Sequence, residues 1–335
     1  MPCCGSSRTL IVNYINLRNT ARTLSDFNFQ CLPKFLPCLG KARMKASMMD
    51  FCVDEILGFE FSGAGEHLIV NIRKYGQNSR WIAARLAELS GIEEKHVGYC
   101  GLKDRFAVTS QWYSLYLPNR CLNIADLSHP DFEVLSLKRH SKKLRRGMHA
   151  GNSFKILITD ISAPQGKLEQ RLKMINRFGF PNYFAQQRFG FNGGNLLEAE
   201  RLINSARLRG NSKGQGLFLS AARSWLFNLV LARHITNYHD GVVFPLDETG
   251  PLWGRGRSKP NQGVALVERE ALIDWPGWKN ALEHTGLTQD RRKLFMHADG
   301  LKFNFLESRQ LKLEFNLPKG VYATALLREL VEFNR

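Results

Sequence analysis

The residue best suited to chemistry in this sequence is Asp104, an acid between two bases in the stretch GYCGLKDRFAVTSQ, residues 98–111. Two glycines precede it and a β-type run follows it, which predicts a turn that enters a strand. A single carboxylate on such a turn can act as a nucleophile or as a general base. The alternative is a surface ion pair with Lys103 or Arg105, worth about 0–1 kcal/mol. From the residues alone, the surface ion pair is the favoured interpretation.

Other kinds of chemistry lack the spacing that they need. The segments GRGRSK and GFNGGN follow neither the P-loop nor the dinucleotide-binding pattern. His234 and His239 lie five residues apart, which misses the i, i+4 face of a helical metal site. The seven cysteines include no C-x-x-C pair, so reduced thiols in a cytosol are favoured over disulfides or a zinc cage. We therefore predict no cofactor and no metal.

The charge balance indicates a polyanionic partner. The chain of 335 residues carries 47 Lys and Arg against 30 Asp and Glu, a net charge of +17. Such an excess favours nucleic acid, although a basic surface without a partner is the simpler alternative. A dense basic run covers residues 138–146, and aromatic residues near loops could stack on unpaired bases. No apolar run predicts a membrane span and no secretion signal is recognisable, so we expect a cytoplasmic protein.

The elements that must position the acidic turn follow from hydrophobic periodicity. HLIVNIRK predicts a half-buried strand, because its apolar residues Leu68, Val70 and Ile72 alternate along the chain. A helix is predicted next, with Asn78 as its N-cap and Gly91 at its end. AVTSQWYSLYLP then predicts the strand that the acidic turn enters.

The rest of the chain mixes strands and helices. FKILITDI predicts a strand, KLEQRLKMINRFG predicts an amphipathic helix, and two further helices are predicted with Asn195 and Ser220 as N-caps. LKLEFNLPKGVYATALLREL reads as strand, turn and helix. There is no regular βαβ rhythm, so the predicted class is α+β. The length favours two domains or one elaborated domain.

GLKDRFAVTSQ resembles the signature of the TruD family of tRNA pseudouridine synthases. Five more segments resemble further blocks of that family and occur in its order: DFCVDE, KRHSKKLRRGMHAGNSF, PNYFAQQRFG, LSAARSWLFN and LPKGVYATALLREL. The resemblance runs from about Lys45 to Glu332 and is closest to the bacterial branch, which is associated with position 13 of certain tRNAs. It implies an enzyme that converts uridine to pseudouridine in tRNA, with no cofactor or metal.

The resemblance also implies roles for single residues. Asp104 matches the catalytic aspartate of the family. Lys45 is a candidate ion-pair partner for it, since Lys103 and Arg105 are neighbours of Asp104 whose side chains should point to opposite sides. The residues expected near the target uridine are Phe51, Asn152, Phe154, Tyr322 and Lys45. The residues expected on the RNA backbone are Lys138, Arg139, Lys142, Lys143, Arg145, Arg146 and Arg188, with Arg255 and Arg257 as further candidates.

The domain plan that the resemblance implies has three parts. Residues 26–178 and 297–335 would form a pseudouridine-synthase catalytic domain with a mixed or antiparallel sheet. Residues 179–296 would form an inserted domain specific to the family. Residues 1–25 have no counterpart in the family and are expected to be an extra N-terminal tail.

Three residues depart from the bacterial pattern. Tyr322 stands where Phe is usual, which adds a hydroxyl group and keeps a ring for stacking. Ala185 replaces a glycine, so the backbone turn there could shift. Met49 replaces an acidic residue and so bears on any charge network around Lys45.

Two alternatives stay open from the sequence. One is a synthase of the same chemistry that acts on a different RNA. The other is a non-catalytic RNA-binding protein, although such a protein needs no carboxylate between cations.

Overall fold

The computed structural model describes residues 22–209, 214–242, 247–256, 260–306 and 309–334. Most of the predicted tail at 1–25, together with Cys3, Cys4 and Arg257, lies outside these residues. The chain divides into two compact units. The sheet unit contains Lys34–Asn182 and the residues from Phe295 onward, and the helical unit contains the residues up to Pro33 and Tyr183–Leu294. The domain roles and boundaries expected from the sequence stay predictions.

The described residues form fourteen strands and seven α-helices. The strands are β1 (Lys41–Met44), β2 (Phe51–Ile56), β3 (His67–Tyr75), β4 (Val97–Tyr99), β5 (Val108–Tyr116), β6 (Phe132–His140), β7 (Gly151–Thr159), β8 (Phe180–Pro181), β9 (Thr249–Leu252), β10 (Asp290–Lys293), β11 (Phe295–Met296), β12 (Asp299–Leu306), β13 (Gln310–Pro318) and β14 (Glu332–Phe333). The helices are α1 (Ser79–Ser90), α2 (Gln165–Phe178), α3 (Gly194–Asn204), α4 (Gly216–His239), α5 (Gln262–Ala271), α6 (Pro276–Glu283) and α7 (Ala323–Leu327).

A ten-stranded mixed sheet forms the centre of the sheet unit. Its main path runs β12-β13-β7-β2-β5-β3-β6, with β1, β4 and β14 attached to it. Strands β2 and β5 pair in parallel, and the other neighbours on the main path pair antiparallel. This mixed sheet with its separate helices confirms the predicted α+β class.

Strand β3 is more deeply buried than its sequence predicted. One face packs Val70 against Ile82 of helix α1. The other face packs Ile69 against Leu57 and Leu144, which come from loops beside the sheet. The prediction of a half-buried strand was therefore wrong, because alternation in the sequence does not reveal which loops cover the second face.

The helix ends were predicted with mixed success. Asn78 caps α1 by accepting the N–H of Trp81 at 2.8 Å, and Gly91 ends it in the left-handed conformation, as predicted. The other two caps were wrong: α3 begins at Gly194, so Asn195 lies inside it, and α4 begins at Gly216, so Ser220 lies in its second turn. The residues that precede them, Gly193 and Gln215, form no side-chain cap hydrogen bond.

In the helical unit, helices α3 to α6 pack around aromatic residues. Phe27 is buried there, with its ring 5.7 Å from Trp225, 6.1 Å from Trp275 and 5.7 Å from Trp278. Arg22, which falls in the predicted tail, lies 3.5 Å over the Trp275 ring.

Among the described residues, no helix combines the length and the apolar character needed to cross a membrane.

Candidate active site

Asp104 lies in the loop between β4 and β5, and buried polar groups hold this loop in place. Gln111 donates its Nε2 to the Gly101 carbonyl at 2.6 Å. Ser79, at the start of α1, donates its Oγ to Gln111 at 2.7 Å and accepts the backbone N–H of Lys103 at 3.0 Å. Because these anchors are buried, the position of the loop is fixed by the sheet and the helix beneath it.

The Asp104 carboxylate forms an ion pair with Lys45, 59 residues earlier in the chain. The same ammonium lies 4.3 Å over the ring of Phe51. The Asp104 side chain is 37% exposed, so a ligand can still reach it. The candidate ion pair proposed from the sequence is therefore present. Met49, which replaces an acidic residue, is exposed and leaves this pair in place.

Phe51, Phe154 and Asn152, all predicted near the target, share one face of the sheet. Val53 of β2 pairs with Phe154 of β7, and Glu55 pairs with Asn152. Phe51 lies two residues before Val53 and so points to the same face. The rings of Phe51 and Phe154 are 6.2 Å apart in an edge arrangement. The strand register thus assembles residues that the sequence separates by about a hundred positions.

Lys103 does not pair with its neighbour Asp104. Its ammonium forms a buried ion pair with Glu55 of β2 at 2.5 Å. Arg105 donates its Nε to the Gly76 carbonyl at 3.1 Å and stays exposed. The two bases beside Asp104 therefore fix the loop, and the more distant Lys45 neutralises the acid.

A third lysine supports the loop from below. Lys74 is fully buried and donates its Nζ to the carbonyl of Asp104 at 3.0 Å and to that of Gln77 at 2.6 Å. Burial lowers the pKa of Lys74 to about 8, with Asp104 acting in the opposite direction and Lys103 in the same one. The sequence offered a signal for this residue, because Lys74 continues the apolar alternation of β3.

Two buried polar atoms on this side of the sheet have no hydrogen-bond partner. They are Oδ1 of Asn152 and Nδ1 of His149. Burial lowers the pKa of His149, and the nearby Lys103 lowers it further. A buried acceptor without a donor is costly unless a ligand supplies one. Asn152 can therefore accept a hydrogen bond from a bound molecule.

Tyr322 follows the turn that leaves β13. Strand β13 places Leu317 opposite Asn152, and Lys319 then donates its backbone N–H to the Ala150 carbonyl at 2.8 Å. Tyr322 is half-buried at the start of α7. It thus follows the end of β13 that lies beside Asn152, and its expected contact with the target stays a prediction.

The residues predicted on the RNA backbone fall into two groups. The first group is largely held by the protein: Arg139 donates to the Leu117 and Arg120 carbonyls, Lys143 donates to the Lys95 carbonyl, and Arg188 donates to Ser220 and Ser224 in the helical unit. The exposed residues are Lys138, Lys142, Arg145 and Arg146. These exposed residues, which form the second group, are the better candidates for contacts with phosphate.

The structure also bears on the departure at Ala185 and on metal binding. Ala185 is buried in extended backbone, with φ −76°, so this position needs no glycine. Among the described residues, no group of three or more His, Cys, Asp or Glu side chains is arranged to hold a metal ion.

The chain is similar to known proteins over most of its length. The family described as tRNA pseudouridine synthase D (TruD) matches residues 38–204. A tRNA pseudouridine synthase D from Cellvibrio japonicus is 40% identical over 329 residues, covering 93% of this chain and 96% of that protein. One from Methylococcus capsulatus is 40% identical over 325 residues, covering 88% and 92%. The crystal structure of a TruD protein from Methanosarcina mazei shares the fold, with a TM-score of 0.63, 19% identity and coverage of 89% and 95%.

Proposed function

Because this chain belongs to the TruD family of tRNA pseudouridine synthases, we propose that it converts uridine to pseudouridine in tRNA, with Asp104 acting on the ribose. The observation that carries this proposal is the placement of Asp104. Its carboxylate is partly exposed, is paired with Lys45, and lies on a loop anchored to the sheet face that bears Phe51 and Asn152.

The reaction rearranges bonds within one nucleotide. The N1–C1′ bond breaks, the uracil turns over, a C5–C1′ bond forms, the proton on C5 leaves, and N1 gains a proton. Asp104 has two routes to assist the first step: its carboxylate attacks C1′ as a nucleophile, or it removes a proton from the sugar as a base. Both routes require an ionised carboxylate, and the Lys45 ammonium stabilises that charge.

The other site residues would bind the uracil. The unpartnered Oδ1 of Asn152 is suited to accept the N3–H of the base. Phe51 and Phe154 would form an apolar floor beneath it, and Tyr322 would add a ring from the segment after β13. The exposed Arg145 and Arg146 would contact phosphates of the RNA. Position 13 of tRNA is the proposed target, and the cytoplasm is the proposed location.

The test is the substitution Asp104→Asn, which keeps the size of the side chain and removes its charge. We expect the single-turnover rate on a tRNA transcript to fall by at least ~10²-fold, since one acid–base group contributes about 10²–10⁴-fold. Affinity for tRNA should change by less than about threefold, because phosphate contacts dominate it. The matched control is Asp299→Asn, an exposed acid of β12 that should keep the full rate.

Pseudouridine is mapped at every uridine of the transcript, with a second transcript that carries cytidine at position 13. The cytidine transcript should yield no product, and an unrelated structured RNA should yield none either. Conversion by the Asp104→Asn protein at the wild-type rate would reject the role of Asp104. Product at other positions or in the unrelated RNA would reject the proposed target.

A further inference from the structure

Two large apolar side chains flank Asp104 and point into solvent. Leu102 is 58% exposed and Phe106 is 53% exposed, each two residues away from the acid. The backbone N–H of Phe106 donates to Oδ1 of Asp104 at 3.1 Å. The phenyl ring is therefore attached to the backbone that binds the carboxylate.

Hydrogen bonds fix the loop that carries these two side chains. Lys74 holds the Asp104 carbonyl, Ser79 holds the Lys103 N–H, and Arg105 ties the loop to Gly76. A single exposed apolar residue in a loop is common and needs no explanation. Two of them on either side of one acid, on a loop fixed from below, place exposed apolar surface next to a carboxylate that a ligand can reach.

One more exposed apolar residue comes from a neighbouring segment. Met49 is 64% exposed. Its neighbour Met48 packs beside Gly76, whose carbonyl binds Arg105 of the acidic loop.

We propose that Phe106, with Leu102 on the other side of Asp104, inserts into the RNA stack beside the target uridine and holds that nucleotide out of it. This inference rests on the proposed function, because it assumes that Asp104 must reach the ribose of an extruded nucleotide. A base in the stack leaves a gap when it is extruded. An aromatic ring that fills such a gap strengthens binding of the extruded state by about 5- to 150-fold per base.

The experiment uses a tRNA transcript with 2-aminopurine next to the target uridine, because its fluorescence rises when stacking on that uridine is lost. We expect Phe106→Ala to lower the single-turnover rate by about 5- to 150-fold and to suppress the fluorescence rise. Phe106→Trp should retain both, since it keeps an aromatic face. The matched control is Phe178→Ala, an exposed phenylalanine at the end of α2 that should behave as wild type.

The Asp104→Asn protein separates this inference from the proposed function. It should give the full fluorescence rise with no product, because the inserting side chains are intact. A Phe106→Ala protein that keeps either the wild-type rate or the wild-type fluorescence rise would overturn the inference, while loss of product in Asp104→Asn would still support the proposed function. Product at the wild-type rate in Asp104→Asn would instead refute the proposed function itself.

Discussion

Lys74 is the residue whose chemistry should be easiest to measure without any RNA. Its side chain is fully buried, and its hydrogen bonds go to the carbonyls of Gln77 and Asp104 rather than to a carboxylate. Burial lowers its pKa to about 8 from an ordinary value of 10.5. We expect the substitution Lys74→Met to remove a part of the stability that depends on pH.

The size and sign of this pH-dependent stability follow from the pKa of Lys74. The difference between about 8 and 10.5 corresponds to roughly 3 kcal/mol. Below pH 8 the lysine is protonated in both the folded and the unfolded protein, and the folded state bears the cost of a buried charge. Between pH 8 and 10.5 only the unfolded chain keeps the proton, so the free energy of unfolding rises with pH. A methionine at this position cannot give that rise.

The assay is denaturant unfolding of wild type and Lys74→Met at several pH values from neutral to about pH 10. The wild-type free energy of unfolding minus that of the variant should increase by about 1 kcal/mol per pH unit above pH 8. The slope decides the question, because the absolute difference also contains two carbonyls that methionine leaves unpaired, at about 1–3 kcal/mol each. The exposed Lys167→Met is the control. Parallel curves for wild type and Lys74→Met would refute the reasoning.

Two further predictions concern charged residues. Glu55→Gln and Lys103→Met should each lower the free energy of unfolding by about 3–5 kcal/mol, because each leaves a buried charge unpaired. The double variant should recover part of this loss. Additive losses in a double-mutant cycle would argue against a coupled pair. Arg145→Gln and Arg146→Gln should each reduce the slope of log affinity against log salt by about 1 for tRNA binding. Arg139→Gln should leave that slope unchanged, because its guanidinium binds backbone carbonyls; equal slope changes in all three variants would contradict this division.

The local parts of the fold were readable from the sequence. Helix α1 has a polar cap at Asn78 and a glycine at its end, and both signals act within a few residues of the helix. The second buried face of β3 was not readable, because Leu57 and Leu144 reach it from loops outside the strand, and the alternation within the strand does not reveal them. Neither α3 nor α4 has a side-chain cap hydrogen bond at its start, so no capping residue marked the first turn, and both predicted starts were wrong.

The site shows the same division between local and distant information. Lys74 continues the alternation of Val70 and Ile72, and Glu55 continues that of Val53, so the sequence marks both charges as buried. It does not reveal their partners, since Lys103 lies 48 residues from Glu55. A charged residue at the end of an apolar alternation is therefore a usable signal for a buried polar site, and the fold decides what it binds.

The charges around the acidic loop also explain why one carboxylate lies among several bases. Lys103 is neutralised by Glu55, and Lys45 is neutralised by Asp104, whereas Lys74 meets only backbone carbonyls among the groups that it contacts. These three lysines and two carboxylates therefore leave one positive charge close to Asp104 at neutral pH. A buried excess charge is costly in the free protein, and an anionic ligand bound at the surface of this loop would offset part of that cost. The phosphate groups of a nucleotide supply such a charge, so the same arrangement that keeps Asp104 in position also favours an RNA substrate over a neutral one.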